Sequence, residues 1–109
     1  MSDTRTPEID VAEAARRQHS GVLLLDVREP DEFAEVHAAG ARLLPLSELT
    51  ERVGEVPLDQ AVLIICRSGA RSAKATDYLN ERGGQATNVG GGTLAWVEAG
   101  LPTNSSTTP

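Results

Sequence analysis

The sequence is poor in cysteine and in aromatic residues, and each shortage excludes a class of protein. It has a single cysteine, Cys66, in 109 residues, so no disulfide can form within the chain. Only His19 and His37 could join that thiol in binding a metal, and a four-ligand metal cluster is therefore not expected. One Phe, one Tyr and one Trp leave too few rings to stack the bases of single-stranded nucleic acid.

Basic residues and long apolar runs are also scarce. Ten Lys and Arg stand against sixteen Asp and Glu, which gives a formal net charge of −6. This balance argues against binding to nucleic acid or to anionic membranes and favours a soluble monomer. Apolar runs such as residues 22–25 are far shorter than the roughly 20 residues that span a bilayer. Residues 1–7 lack the apolar stretch of a secretory signal, so we expect a cytoplasmic protein.

The length of the chain suits one domain with one core. A chain of this size buries roughly two-thirds of its unfolded surface. The two ends are polar and contain too few apolar side chains to repay the entropy of ordering. We therefore predict a flexible N-terminus at residues 1–7, a folded domain at 8–102 and a disordered tail at 103–109.

Within the predicted domain, apolar runs alternate with helical patterns. Strands are predicted around Ile9 and at residues 22–26, 41–44, 61–65 and 86–89. Helices are predicted at residues 11–18, 30–36, 48–53, 72–82 and 93–99. This alternation predicts an α/β three-layer sandwich, in which a mainly parallel central sheet of about five strands is flanked by helices. Ligands of such sheets bind beyond the carboxyl ends of the strands, where Asp26 and Cys66 are predicted to lie.

The segment 66–72 combines three features that favour a reactive thiol. Cys66 follows a predicted buried strand and precedes a helix, whose N-terminus lowers the pKa of a thiol. Gly69 permits a tight loop in which backbone N–H groups point inward and bind an anion. Arg67, Arg71 and Lys74 add positive charge close to the thiol. The alternative is that Cys66 is a small buried apolar residue and that the basic residues are solvated.

Several other polar residues are weaker candidates. Asp26 and Arg28 either support the active-site loop or, as we favour, form a buried ion pair or turn contact with no catalytic role. Ser72 either donates a hydrogen bond to a bound anion or caps the following helix. His37 is expected to satisfy backbone groups of a turn rather than to act as a base, and Trp96 is expected to pack in the core.

Four segments carry a resemblance to a known family. They are LLDVR at 24–28 with EF at 32–33, HAAGA at 37–41, CRSGARS at 66–72, and GGTLAW at 91–96 with GLP at 100–102. Together they make residues 8–102 resemble the single-domain rhodanese family of sulfurtransferases. Ala39 stands where the family usually has a proline, which affects one turn and no chemical group.

The resemblance implies a reaction at Cys66. The Cys66 thiolate would take the outer sulfur of thiosulfate, release sulfite and carry the sulfur as a persulfide until cyanide or a thiol accepts it. No metal or organic cofactor is implied. Backbone N–H groups of residues 67–71 would stabilise the persulfide, so that the substrate-binding residues are Arg67, Ser68, Gly69, Ala70 and Arg71. The two guanidinium groups would hold the sulfonate end of thiosulfate.

Two alternatives stay open from the residues alone. In the first, Cys66 passes its persulfide to a protein partner as a relay or carrier module. In the second, the protein is a small cysteine phosphatase or arsenate reductase. Those enzymes use the spacing C-x-x-x-x-x-R, whereas Arg71 comes one residue sooner and Ser72 occupies the phosphatase position. The shorter ring fits a single sulfur better than a tetrahedral phosphate.

Overall fold

Five of the apolar runs form one parallel sheet at the centre of the molecule. The computed structural model describes residues 6–106. The strands are β1 Glu8–Ile9, β2 Leu23–Asp26, β3 His37–Ala38, β4 Arg42–Leu43, β5 Ala61–Ile65, β6 Gln85–Val89 and β7 Thr103–Asn104. The central sheet has the order β1-β6-β5-β2-β4, with every neighbouring pair parallel. The predicted α/β sandwich with a five-stranded parallel sheet is confirmed.

Helices cover both faces of this sheet. They are α1 Val11–His19, α2 Pro30–Glu35, α3 Ala70–Glu81 and α4 Gly92–Glu98. Successive residues of a strand point to opposite faces, so Val62 and Ile64 pack under α3, whereas Leu63 and Ile65 pack under the other three helices. The alternation explains why β5 is apolar along its whole length, since neither face is open to water.

The segment between β4 and β5 differs from its prediction. A helix was expected at residues 48–53, but the chain forms two 3-10 helices, Leu46–Glu48 and Val53–Glu55. Leu49 and Val56 are both buried in the cluster beneath α3. This tertiary packing outweighs the modest local helix preference of the segment, which also contains Gly54.

The ordered chain also extends past residue 102. Thr103–Asn104 form β7, which pairs antiparallel with β3, so these two residues of the predicted disordered tail are part of a strand. The carbonyl of Pro102 accepts hydrogen bonds from the indole N–H of Trp96 at 2.7 Å and from the backbone N–H of Ala39 at 2.9 Å. Backbone hydrogen bonds therefore hold a segment whose side chains gave no signal of order.

Most of the predicted flexible N-terminus lies outside the described residues, and the two residues of it that the structure describes make hydrogen bonds. The hydroxyl of Thr6 donates to the carboxylate of Asp77 at 2.8 Å. The carbonyl of Pro7 accepts a hydrogen bond from the backbone N–H of Asn88 at 2.8 Å. Residues 1–5 and 107–109 lie outside the described residues. Between residues 6 and 106, none of the helices has the length and apolar character needed to cross a bilayer.

Asp26 and Arg28 form the predicted buried ion pair at the carboxyl end of β2. Asp26 is fully buried and Arg28 is 4% exposed. The guanidinium of Arg28 donates to both carboxylate oxygens at 2.8 to 3.1 Å and also to the carbonyl of Val36 at 2.7 Å. The pair joins the end of β2 to the end of α2, next to the strand that leads into Cys66.

We predict that Arg28→Ala destabilises the fold strongly, by about 3–5 kcal/mol, because it leaves the Asp26 carboxylate buried without a partner. The matched control is Arg52→Ala, since Arg52 is also paired with carboxylates, those of Glu48 and Glu55, but on the surface. Solvent screens that surface pair, so Arg52→Ala is expected to destabilise the fold far less than Arg28→Ala. Urea denaturation measures both free energies of unfolding, and equal losses would contradict the assignment.

Candidate active site

Cys66 lies directly after β5, at the carboxyl edge of the central sheet. Its side chain is buried and belongs to the apolar cluster that also contains Val62 and Ile64. The three residues are two apart along the chain, so the pleat of the strand directs all of them to the face covered by α3. The strand thereby brings the thiol beneath the N-terminal end of α3.

Two hydrogen-bond donors lie close to the sulfur of Cys66. The backbone N–H of Gly69 and the hydroxyl of Ser72 are each 3.2 Å from Sγ. Gly69 has a φ of +110°, a left-handed conformation that favours glycine. It precedes the first residue of α3, so Gly69 and not Ser72 occupies the capping position. The predicted capping role of Ser72 is therefore wrong, because its hydroxyl is directed to the sulfur instead.

The surroundings of Cys66 favour its thiolate. Burial by itself raises the pKa of the Cys66 thiol, because the charged form loses water. Hydrogen bonds from the hydroxyl of Ser72 and from the backbone N–H groups of Ser72, Gly69 and Ser68 outweigh that effect, so the pKa lies below the ordinary value for cysteine. Hydrogen bonds, rather than the neighbouring guanidinium groups expected from the sequence, are the chief cause of the lowering.

The two arginines of the loop, Arg67 and Arg71, differ in whether their guanidinium groups are paired. The guanidinium of Arg71 makes a bidentate pair with the carboxylate of Glu32, with both N–O distances 2.7 Å. The hydrogen bonds from Arg71 lower the pKa of Glu32 to about 2. Arg67 is exposed, and its guanidinium has no hydrogen bond or ion pair within residues 6–106. Both arginines were expected to bind substrate, but Arg67 alone has its guanidinium free.

The start of α4 holds the loop from the side opposite to α3. The carbonyl of Cys66 accepts hydrogen bonds from the backbone N–H of Thr93 at 2.8 Å and from its hydroxyl at 2.9 Å. The carbonyl of Arg67 accepts one from the backbone N–H of Leu94 at 3.1 Å. A Cβ atom on Gly92 would lie 2.5 Å from the carbonyl oxygen of Arg67. The second glycine of the GGTLAW segment is needed for this close approach.

Three polar residues contribute to the site without having been assigned a role from the sequence. Glu32 anchors Arg71, and Asn88 and Glu8 support Gly69. The side-chain N–H₂ of Asn88 donates to the carbonyl of Gly69 at 3.2 Å and to the carboxylate of Glu8 at 3.0 Å. Asn88 is almost fully buried at the carboxyl end of β6. A polar side chain in an otherwise buried strand was the signal that could have identified it.

The remaining candidates have structural contacts. The ring of His37 stacks on that of Phe33 with centroids 3.7 Å apart, and Nδ1 donates to the carbonyl of Phe33 at 2.8 Å. Trp96 is buried in the core, as predicted. Ser68 and Ala70 are exposed around Gly69. Among the described residues, no three His, Cys, Asp or Glu side chains are grouped so that they could hold a metal ion.

Comparison with known proteins gives matches across almost the whole chain. The family model described as Rhodanese-like domain matches residues 10–99. A sulfurtransferase of Allochromatium vinosum is 42% identical over 98 residues, which cover 87% of this chain and 92% of that protein. Thiosulfate sulfurtransferase 18 of Arabidopsis thaliana is 37% identical, with 95% of this chain and 90% of that protein covered.

A solved structure agrees with these sequence matches. The crystal structure of a rhodanese-related protein from Thermoplasma volcanium is similar with a TM-score of 0.83 at 33% identity, and the match covers 90% of this chain and 97% of that one. The matched residues include the whole Cys66 loop and the helices that hold it. From its sequence, its fold and the extent of these matches, the chain belongs to the rhodanese-like family of sulfurtransferases.

Proposed function

We propose that the protein transfers sulfur from thiosulfate to cyanide or a thiol through a persulfide on Cys66. The observation that carries the proposal is the pair of donors, Gly69 N–H and Ser72 hydroxyl, each 3.2 Å from a buried sulfur. Such donors favour the charged form of the sulfur, and the thiolate is the nucleophilic form of cysteine. The name of the Arabidopsis relative, a thiosulfate sulfurtransferase, supports thiosulfate as the donor.

The first step exchanges one sulfur–sulfur bond for another. The Cys66 thiolate attacks the outer sulfur of thiosulfate, the bond to the sulfonate breaks, and sulfite leaves with the bonding electron pair. The reactants carry a total charge of −3, one negative charge on the thiolate and two on thiosulfate. The products carry the same total, one on the persulfide and two on sulfite. No proton has to be removed, so the reaction needs no general base.

The second step returns Cys66 to its starting state. Cyanide attacks the outer sulfur of the persulfide and leaves as thiocyanate, while the bonding pair stays on Cys66 as a thiolate. A thiol accepts the same sulfur and becomes a persulfide. Backbone N–H groups that favour the Cys66 thiolate also favour the persulfide anion, because they donate to negative charge at this position.

The geometry argues against phosphate chemistry at the same loop. In the phosphatase spacing, the arginine must close around three oxygens of a tetrahedral anion. Arg71 comes one residue too early and its guanidinium is already paired with Glu32. A displacement of about 1 Å at a reacting centre can reduce a rate by about a hundredfold. The loop therefore favours transfer of a single sulfur.

We predict that Cys66→Ser abolishes sulfur transfer without unfolding the protein, because the hydroxyl is a far weaker nucleophile than a thiolate. After incubation with thiosulfate, mass spectrometry is expected to find one added sulfur on the wild type and none on the variant. Thiocyanate formation is expected to fall by more than about a thousandfold. Circular dichroism serves as the folding control, and a folded variant that keeps its turnover would disprove the assignment.

We predict different effects for the two loop arginines. Arg67→Ala is expected to raise KM for thiosulfate by about tenfold at low salt and by less at high salt, since it removes an exposed cation. Arg71→Ala is expected to lower kcat about equally at both salt concentrations, because it releases α3 from Glu32 and misplaces the loop. Glu32→Gln should reproduce the Arg71 effect. A salt-dependent KM effect in Arg71→Ala would show that this residue binds substrate directly.

We predict that Ser72→Ala shifts the pH dependence of persulfide formation to higher pH. The rate follows the thiolate fraction, so it rises as pH passes through the pKa of Cys66. Loss of the Ser72 hydroxyl removes a donor to the thiolate, and the midpoint moves to higher pH. Thr76→Val is the control, because its hydroxyl lies one turn further along α3 and bonds the carbonyl of Ser72. Equal shifts in both variants would contradict a specific role for Ser72.

A further inference from the structure

Two large apolar side chains are exposed beside the active-site loop. Leu94 is 51% exposed and Val97 is 48% exposed, and they are the exposed large apolar side chains of the described chain. They are three residues apart on α4 and so share one face of that helix. The neighbouring positions Thr93 and Trp96 are buried. Adjacent exposed apolar side chains at a functional site are typical of a surface that contacts a partner.

These side chains form one wall of an open groove of about 610 Å³. The other wall comes from the end of α2, with Glu35 and Val36. Arg67 and Thr93 also line the groove, so that it begins at the active-site loop. Thr93 is the residue that hydrogen-bonds the carbonyl of Cys66. A molecule in the groove therefore lies against the segment that carries the reactive sulfur.

The groove is lined by charged side chains of both signs. Arg67 lies at the loop end with its guanidinium unpaired in the described part of the chain. Glu98 ends α4, roughly 9 Å along the helix axis from the loop. Glu35 ends α2. Both carboxylates are exposed, and neither has an ion-pair partner among residues 6–106. The surface thus combines apolar side chains with one unpaired cation, Arg67, and two unpaired carboxylates, Glu35 and Glu98. Arg28 and Glu32 also line the groove, but their charges are paired with Asp26 and Arg71.

We propose that this groove binds a segment of a protein that accepts the sulfur, in which the acceptor cysteine lies between apolar and basic residues. The inference rests on the proposed function and names the acceptor for it. The apolar side chains of the segment contact Leu94 and Val97, and its basic side chains pair with Glu35 and Glu98. The guanidinium of Arg67 faces the acceptor cysteine and favours its thiolate.

The charges of the groove explain why the occupant is such a segment rather than a small anionic thiol. An anionic thiol is repelled by Glu35, by Glu98 and by the net charge of −6. A small polar thiol also leaves Leu94 and Val97 uncovered. A peptide with an apolar centre and basic flanks covers the apolar side chains and satisfies both carboxylates. Electrostatic complementarity of this kind sets specificity and the rate of association.

The transfer itself is a balanced exchange. The acceptor sulfur attacks the outer sulfur of the Cys66 persulfide and forms a new sulfur–sulfur bond. The bond between that outer sulfur and Cys66 breaks, and its electron pair stays on Cys66 as a thiolate. The acceptor reacts as a thiolate and leaves as a persulfide anion, so no proton moves. Charge and oxidation level are conserved, so no further reactant is needed.

The test measures single-turnover transfer from preloaded protein to blocked five-residue peptides. One peptide has a central cysteine between two leucines with a lysine at each end, and a second has glutamates in place of the lysines. A third keeps the lysines and has serines in place of the leucines. The groove variants are Val97→Ser and the double variant Glu35→Gln, Glu98→Gln. The matched control is Glu51→Gln, Glu81→Gln, which removes the same charge at two exposed carboxylates outside the groove.

The wild type is expected to transfer sulfur to the lysine peptide about tenfold faster than to the glutamate peptide. The groove double variant should reduce that preference to about threefold or less, whereas the control variant keeps it. Val97→Ser should slow transfer to the leucine peptide but not to the serine peptide. The inference is overturned if the groove and control variants behave alike, or if 2-mercaptoethanol accepts sulfur faster than the lysine peptide.

Loading of Cys66 is measured first, so that two failures can be told apart. If thiosulfate adds no sulfur to Cys66, the proposed function fails. Inorganic polysulfide then supplies the persulfide, and the peptide comparison is still made. If thiosulfate loads all variants at similar rates and the groove variants keep the wild-type preference between peptides, the proposed docking surface is wrong while the proposed function stands.

Discussion

Placing a charged sulfur in a buried position is the constraint on which this site depends. Burial disfavours the thiolate, and the structure offsets that cost with hydrogen bonds from Gly69, Ser72 and their neighbours. The donors must point at one atom, which a regular helix or strand cannot arrange. A left-handed residue at Gly69 turns the backbone so that its N–H reaches Sγ, and α3 then begins and brings Ser72 back to the same atom. The reactive position therefore depends on loop geometry more than on any single side chain.

That geometry is in turn held from outside the loop. Asn88 bonds the carbonyl of Gly69, α4 bonds the carbonyls of Cys66 and Arg67, and Glu32 fixes the guanidinium of Arg71. Each contact comes from a different strand that ends, or helix that begins, at the carboxyl edge of the sheet. Parallel strands place all their carboxyl ends at that edge. The loop can thus receive support from three sides, while its inward N–H groups stay free for the sulfur.

The sequence predicted the parts of the molecule that follow from local pattern. The apolar runs, the site at the ends of β2 and β5, and the importance of Cys66 and Gly69 could all be argued from neighbouring residues. Pairings between residues distant in sequence could not. Arg71 and Glu32 are 39 positions apart, and Asn88 and Gly69 are 19 apart, so only the folded chain reveals that they meet. The strand at Thr103–Asn104 was missed for the same reason, because its stability comes from backbone bonds to β3 rather than from its own side chains.

The distribution of charge around the loop bears on which anion it serves. The sequence around Cys66 is rich in basic residues, yet Arg71 is paired with the carboxylate of Glu32. Arg28, which follows β2, is likewise paired with the carboxylate of Asp26. The free positive charge next to Cys66 is then mainly that of Arg67, and the rest of the stabilisation comes from N–H groups that carry no net charge. Such a site can hold one negative charge on a sulfur. Because Arg71 is paired with Glu32, its guanidinium is not free to close around the oxygens of a phosphate, so this pairing restricts the chemistry as well as supporting the loop.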